Sequence, residues 1–317
     1  MVLNSIKSVF ALMSLILMGF HFSGKKWFGK PGMDLLAKFT VEITLPFYMF
    51  YNIYKDIGSR KALASLIFKL PVTFLLILLC IGLAALVAAV FKVKPGRRYT
   101  FAAAAGFPNV VFIGFPVIQA LWGDSITSVG VIYYISSTLL FWTIGIWLIR
   151  KDGKFRDETG GFFSNIKMLF SPPVMGMFLG MAVILAGITV PDFVLQPLSM
   201  ISGVTSPLAL IFIGSVIRNM DPSAIKFGRD LYLALLMRFV IVPLAAAAFL
   251  RPIPIPAEMK QVFFMLSTMP AMAQMGIMAS QYKCDYEFAC TVVTVTTVIS
   301  LFTIPVFMFL MQTFSLF

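Results

Sequence analysis

Residues 102–119, AAAAGFPNVVFIGFPVIQ, and residues 265–281, MLSTMPAMAQMGIMASQ, carry one pattern at two places in the chain. Each stretch has a proline, a glycine six residues later and a glutamine eleven residues later, at Pro108, Gly114 and Gln119 and at Pro270, Gly276 and Gln281. A proline inside a helix removes a backbone donor and clashes with the preceding turn. An isolated proline usually marks only a packing kink, but the occurrence of the same pattern at two places favours a functional break in each helix. It predicts that two helices break, at Phe107-Pro108-Asn109 and at Met269-Pro270-Ala271.

The composition of the chain places both patterns in a membrane. Of 317 residues, 60% are hydrophobic and 12% are charged. A bilayer core about 30 Å thick requires about 20 apolar residues per helical span, and such stretches recur along the chain with short charged breaks between them. The composition excludes a water-soluble domain and predicts an all-α membrane protein.

Ten apolar stretches predict membrane spans, which we number 1 to 10. They lie near residues 5–22, 34–54, 65–91, 99–121, 125–149, 166–188, 193–217, 230–250, 258–281 and 286–315. The longest polar stretch separates spans 5 and 6 and reads as a surface loop. The first stretch has no small-residue cleavage site, so we interpret it as span 1 and not as a signal peptide.

Basic residues are distributed unevenly over the connections between spans. The connections after spans 1, 3, 5, 7 and 9 hold sixteen of the 25 Lys and Arg residues, and the opposite side holds six. Cytoplasmic connections carry the excess of basic residues in membrane proteins. We therefore expect a multi-pass protein of the cell's inner (plasma) membrane with both termini outside. The net charge of +12 then reflects orientation, and nucleic-acid binding is not expected.

The two groups of five spans share a second motif. Span 2 contains ITLP at residues 43–46 and span 7 contains VTSP at residues 204–207, and their prolines lie 62 and 63 residues before the prolines of the two breaks. Because five is odd, homologous halves have opposite orientations in the membrane. The sequence predicts a first five-helix repeat over residues 1–150, a cytoplasmic loop over residues 151–165 and a second, inverted repeat over residues 166–317.

The two broken spans form the candidate substrate site. Backbone groups freed by a break are tolerated in a membrane where they line a cavity, and the half-helix after each break points its positive end into it. Such a site favours an anion. Asn109 ranks first because its amide directly follows the first proline, and the alternative is that it only caps the half-helix. The candidate substrate-binding residues are Asn109, Pro108, Val110, Pro270, Ala271, Gln274, Gly114 and Gly276.

Few charged residues lie inside the predicted spans. Among the acids only Glu42 lies well inside one, where it can carry a coupling proton or pair with Lys38 four residues earlier. Arg238 is the most buried cation by position. It can balance a substrate carboxylate, snorkel to the interface or pair with a backbone carbonyl. Arg238 and Glu42 are therefore the candidate charge or coupling residues.

Catalytic and metal sites are not indicated. His21 is the only histidine, so a multi-histidine metal cluster is impossible and a serine–histidine pair is not expected. Cys80, Cys284 and Cys290 lack paired metal spacing and are expected to be free thiols. We expect no enzyme activity, no catalytic residue, no metal and no cofactor apart from a coupling H⁺ or Na⁺.

Five stretches together resemble the auxin efflux carrier family, which includes bacterial malate-permease-like transporters and plant PIN-type auxin exporters. They are LMGFHFSGKKWFGKPGMDLLAKFTVEITLPFYMF from Leu17, AGFPNVVFIGFPVIQALWGD, SPPVMGMFLGMAVILAGITVP, SPLALIFIGSVI and MPAMAQMGIMASQYKCD. The resemblance spans nearly the whole chain, and it rests on the order and spacing of all five.

The resemblance implies ten helices in two inverted repeats, as in sodium–proton antiporters and bile-acid symporters, and a homodimeric elevator mechanism. Spans 1, 2, 6 and 7 would form the scaffold, and spans 3–5 and 8–10 the transport part. It also implies a carboxylate held where spans 4 and 9 cross, with Asn109 matching the asparagine after the family's first crossover proline. The chain departs from the family at Ala271, which offers no second amide, and in its short central loop; both departures weigh against auxin itself as substrate.

Three functional hypotheses follow. The first is a secondary carrier of a small organic anion, a mono- or dicarboxylate or an auxin-like acid. The second is a sodium-coupled bile-acid-type or ion antiporter-like carrier of the same fold, and the third is a non-transporting membrane sensor. The expected partners are a small carboxylate, membrane lipid and a second copy of the chain.

Overall fold

The computed structural model describes residues 2–25, 28–123, 126–153, 172–219, 227–313 and 317. Within these ranges the chain is helical, without a β-strand. Most of the predicted cytoplasmic loop, residues 154–165, lies outside the described residues.

The α-helices are numbered in chain order. They are α1 (Val2–Ser23), α2 (Gly29–Phe39), α3 (Leu45–Asn52), α4 (Arg60–Ile67), α5 (Leu70–Val90), α6 (Arg98–Gly106), α7 (Phe115–Trp122), α8 (Thr127–Leu140), α9 (Ile146–Asp152), α10 (Pro172–Ala186), α11 (Asp192–Arg218), α12 (Arg229–Leu236), α13 (Val242–Leu250), α14 (Ala257–Ser267), α15 (Gln274–Gln281) and α16 (Tyr286–Thr313).

Wider π-helical turns join several of these helices. They lie at Thr40–Thr44, Ile53–Ile57, Val110–Gly114, Phe141–Gly145 and Met237–Ile241. Three of them end two residues before a proline, at Pro46, Pro116 and Pro243. A proline cannot donate to the carbonyl four residues earlier and its ring crowds that carbonyl, and a wider turn relieves the crowding. The prolines thus account for three of the five irregular turns.

Five helical segments are long and apolar enough to cross a membrane. They are Arg60–Val90, Thr127–Asp152, Asp192–Arg218, Arg229–Leu250 and Tyr286–Met311. Met13–Ser23, Val110–Trp122 and Pro172–Ala186 are shorter apolar helices. The described chain is therefore an all-helical membrane protein, as the composition predicted.

The helices divide into two compact units. The first comprises Met1–Leu70, Val111–Ile135 and Lys167–Met220. In it α1 and α11 pack at main-chain distance, because a Cβ at Gly19 would lie 2.0 Å from the Ile211 carbonyl oxygen and one at Gly214 would lie 1.9 Å from the Ile16 carbonyl oxygen. Small residues permit such close helix contacts within membranes.

The second unit comprises Pro71–Val110, Ser136–Ile166 and Asp221–Phe317. Here a Cβ at Gly106 would lie 3.0 Å from the Ile81 Cα, so the end of α6 lies against the main chain of α5. The Phe107 ring packs edge-on against the Phe141 ring, with centroids 5.4 Å apart. This packing buries the first predicted break inside the second unit.

Candidate functional site

Both predicted breaks are present. Helix α6 ends at Gly106, and Phe107 turns to extended backbone with φ −93° and ψ 123°. Helix α14 ends at Ser267, and α15 does not begin until Gln274. The prolines therefore interrupt the helices at the positions that the paired pattern predicted.

The two breaks pair with each other through their main chains. Pro108 and Ala271 form an isolated antiparallel β-bridge. The Asn109 amide donates to the Pro270 carbonyl at 2.8 Å, and the Met272 amide donates to the Phe107 carbonyl at 3.0 Å. A break exposes backbone groups that hydrocarbon cannot satisfy, and this crossover satisfies part of that need with the opposite break.

Arg238 binds the crossover from the π-helical turn between α12 and α13. Its side chain is completely buried, and its guanidinium donates to four main-chain carbonyls. These acceptors are Ala105 at 3.0 Å, Gly106 at 3.4 Å, Ser267 at 2.7 Å and Met269. Of the three roles that the sequence left open, pairing with backbone carbonyls is the one that the geometry displays.

These carbonyls lie at the ends of two helices. Ala105 and Gly106 close α6, and Ser267 closes α14. The last carbonyls of a helix lack intrahelical partners and carry negative partial charge. Since a guanidinium stays protonated in proteins, Arg238 compensates both negative ends. The N-terminal end of α15, with its positive partial charge, begins directly after the second break.

The predicted substrate-binding residues of the second unit lie close along the crossover. Asn109, Val110 and Ala271 are buried, with 5%, 1% and 0% of their surfaces exposed. Pro108 and Pro270 are also buried, Gln274 is partly exposed, and a Cβ at Gly276 would lie 2.7 Å from the Cys290 sulfur. Their role in binding remains a prediction.

Two other predicted residues belong to the first unit. Gly114 is the buried last residue of the π-helical turn Val110–Gly114. Glu42 lies in another such turn, Thr40–Thr44, and is exposed, as is Lys38. Among the described ion pairs there is none between Lys38 and Glu42. The wider turn explains this, because the four-residue rule for side-chain pairs assumes α-helical geometry.

An ionic cluster in the second unit was not predicted. The Arg97 side chain contacts Asp285, with Nε 2.7 Å from the carboxylate, and Asp230 at 3.1 Å. Its guanidinium also lies 4.6 Å from the Phe288 ring centroid. In the sequence, Arg97 is only one of the basic residues that predict orientation, and the acids lie 133 and 188 positions away. The available signal was that all three flank connections predicted to lie on one side.

A second contact joins the same set of connections. The Asp152 carboxylate at the end of α9 accepts a hydrogen bond from the Thr100 amide in α6, at 2.6 Å. Together with the Arg97 cluster, this contact brings together the helix ends that adjoin the connections after predicted spans 3, 5, 7 and 9. That agrees with their placement on one side of the membrane, while the assignment of that side to the cytoplasm stays a prediction.

Cys284 lies beside this cluster as a free thiol. Its sulfur is 3.0 Å from the Ile149 carbonyl oxygen. Burial, together with the nearby Asp152 carboxylate, raises the pKa of the Cys284 thiol to about 11. The thiol is thus protonated at neutral pH and is a poor nucleophile.

The chain is thus an all-helical membrane protein in which two broken helices pair through their main chains within one compact unit. Residues 4–308 match the family described as membrane transport protein, which is the auxin efflux carrier family. The chain belongs to this family, and the resemblance found in the sequence is confirmed.

Two known proteins are similar to the chain over almost its full length. An uncharacterized transporter of Methanocaldococcus jannaschii is 26% identical over 306 residues, covering 93% of this chain and 95% of the relative. An uncharacterized transporter of Methanothermobacter thermautotrophicus is 22% identical over 310 residues, covering 96% and 97%. Family and relatives both indicate a membrane transporter, not an enzyme.

Proposed function

We propose that this protein is an elevator-type secondary transporter of a small organic anion, a mono- or dicarboxylate or an auxin-like acid. The observation that carries the proposal is the crossover, where two helix breaks pair and Arg238 covers the negative ends of the helices that precede them. The positive N-terminal end of α15 follows the second break, so the local charge favours an anion.

Asn109 supplies the side-chain donor at this site. Its main-chain amide is fixed by the Pro270 carbonyl, which places the side chain beside the break. A carboxylate is an acceptor only, so an amide NH₂ group is a suitable partner. Among the other predicted contacts, Gln274 offers a second side-chain amide, and the glycines and Ala271 allow a ligand to approach closely.

The proposed mechanism uses the helices assigned by the resemblance. Predicted spans 1, 2, 6 and 7, the proposed scaffold, fall within the first compact unit, which also takes in residues 111–135 of predicted spans 4 and 5. We further propose two inverted repeats, a homodimer, an inner-membrane location with both termini outside, and coupling to H⁺ or Na⁺. In this mechanism one part of each subunit moves against a fixed part.

Transport itself is tested with purified protein in liposomes on a solid-supported membrane. Malate, malonate, lactate, benzoate and indole-3-acetate are applied in turn, with and without sodium. A saturable current or counterflow with one acid supports the proposal and defines the substrate class. Strict sodium dependence would favour the bile-acid-type carrier, and saturable binding with neither current nor counterflow would favour the sensor.

Replacement of Asn109 by Ala is expected to abolish saturable uptake without unfolding the protein. The alanine retains the main-chain amide that donates to Pro270, so the change isolates the side-chain amide. Uptake and size-exclusion profiles are compared with those of Gln196→Ala, which removes an exposed amide near the start of α11. Unchanged uptake by the Asn109 variant would remove that residue from the site.

A further inference from the structure

The two breaks pair symmetrically, one residue out of step with the sequence pattern. In sequence, Pro108 matches Pro270 and Asn109 matches Ala271, an offset of 162 residues. In the antiparallel bridge Pro108 lies opposite Ala271, so that Asn109 corresponds to Met272 and each of these two amides donates to the other break. Residues that lie opposite each other between two such hydrogen bonds direct their own amides and carbonyls away from the partner segment. The Ala271 amide therefore needs an acceptor outside the crossover.

The Ala271 amide instead donates to a side chain of α16. Its acceptor is the Thr296 hydroxyl oxygen at 3.1 Å. That hydroxyl in turn donates to the Val292 carbonyl at 2.7 Å, with the Val293 carbonyl at 3.1 Å. Thr296 is completely buried, so its hydroxyl holds the second break from within α16 and faces no solvent.

Arg238 holds the residue on the other side of Pro270. The Met269 carbonyl accepts a hydrogen bond from Arg238 Nε. The same guanidinium donates to the Ala105 and Gly106 carbonyls at the end of α6, so Arg238 contacts the helix ends at both breaks.

We infer that Thr296 and Arg238 are positioning residues that set the second half of the substrate site, opposite Asn109. Main-chain pairing joins the two breaks, and these two side chains also hold the carbonyl and the amide on either side of Pro270. Ala271 has no amide side chain, and Thr296 and Arg238 determine the direction of the main-chain groups that flank Pro270. This inference rests on the proposed transport function.

The decisive variant is Thr296→Val, which keeps the shape of the side chain and removes the hydroxyl. Thr296→Ser restores the hydroxyl and is expected to behave like the wild type. Thr297→Val is the matched control, because the Thr297 hydroxyl donates to the Val293 carbonyl of its own helix at 2.7 Å. Arg238→Lys keeps a charge but cannot span the two helix ends, and serves as the second variant.

Two readouts separate positioning from transport. Amide hydrogen exchange of the peptide covering residues 268–275 in purified protein reports whether the second break is held. Uptake of the acid that drives wild-type current reports KM and maximal rate. We expect Thr296→Val to exchange faster and to raise KM about tenfold, the size expected for one lost hydrogen bond, with a smaller change in maximal rate. Arg238→Lys should change both readouts in the same direction.

The outcomes have distinct meanings. Faster exchange with a raised KM, both reversed by Thr296→Ser and absent in Thr297→Val, supports the inference. Wild-type exchange in Thr296→Val, or faster exchange with unchanged KM, overturns it. If the wild-type protein moves none of the acids, the proposed function fails, and the exchange readout alone still decides whether Thr296 and Arg238 hold the break.

Discussion

At the scale of single residues, Arg238 is the charged side chain that contacts both helix breaks. One guanidinium reaches the ends of α6 and α14, which lie far apart in sequence. Its location inside an apolar span identified it as a residue of interest. Its acceptors could not be predicted, because a sequence does not show which helix ends will meet.

Replacement of Arg238 by Met is expected to lower the free energy of unfolding by on the order of 3 kcal/mol, since several buried carbonyls lose their donor. Thermal unfolding in detergent measures the change. Arg251→Met is the control, because Arg251 is exposed in the connection after α13, and its effect should stay within about 0.5 kcal/mol. Equal melting temperatures for the two variants would refute a structural role for the Arg238 contacts.

For Asn109, in contrast to the acceptors of Arg238, the local surroundings could be predicted from the sequence. Its position beside the break followed from the proline before it, and the break is present. The Arg97 cluster was missed because its acids adjoin connections distant in sequence. Local chemistry is thus readable from sequence, whereas long-range ion pairs require the packing.

At the scale of helices, the packing of α15 against α16 depends on one glycine. A Cβ at Gly276 would lie 2.7 Å from the Cys290 sulfur, closer than two such atoms can approach. Proline spacing predicted where the helices break, but not the π-helical turns at Ile53–Ile57 and Phe141–Gly145. No proline stands just beyond these two, and their cause lies in contacts that the sequence does not specify.

Gly276→Ala is expected to destabilise the protein by about 1–3 kcal/mol through overpacking against Cys290. Cys290→Ala removes the sulfur, so the double variant should recover most of that loss. Melting temperatures of the wild type, both single variants and the double variant form a double-mutant cycle. Additive effects would show that the two side chains do not compete for the same space.

At the scale of the whole molecule, the basic residues predict orientation and the contacts within the second unit predict which connections share a side. Hydrophobic stretches were sufficient to predict a helical membrane protein. The division into compact units was not evident from them, since it depends on which helices pack together. The inverted arrangement of the two halves remains a prediction from the repeated prolines and the odd number of spans.

The variants Lys94→Cys and Lys283→Cys, each with one cysteine, should react with a membrane-impermeant maleimide only after cells are permeabilised. Their positions lie in the connections after spans 3 and 9, which are predicted to be cytoplasmic. A cysteine at Arg251 should react in intact cells. All three positions are exposed, and Cys80, Cys284 and Cys290 are first replaced by Ala. Labelling of Lys94 and Lys283 from opposite sides would contradict both the basic-residue count and the contacts between these connections.

The pairing of the two breaks has a consequence for the evolution of such proteins. Its bonds use the main-chain atoms of Phe107, Asn109, Pro270 and Met272, and main-chain bonds persist through side-chain changes that neither place a proline at a donor position nor overpack the site. Side chains at 109 and 272 are therefore released from maintaining the crossover. Substitutions there that fit the available volume can change the solute preference while the crossover is retained, so solute preference and architecture can diverge at different rates.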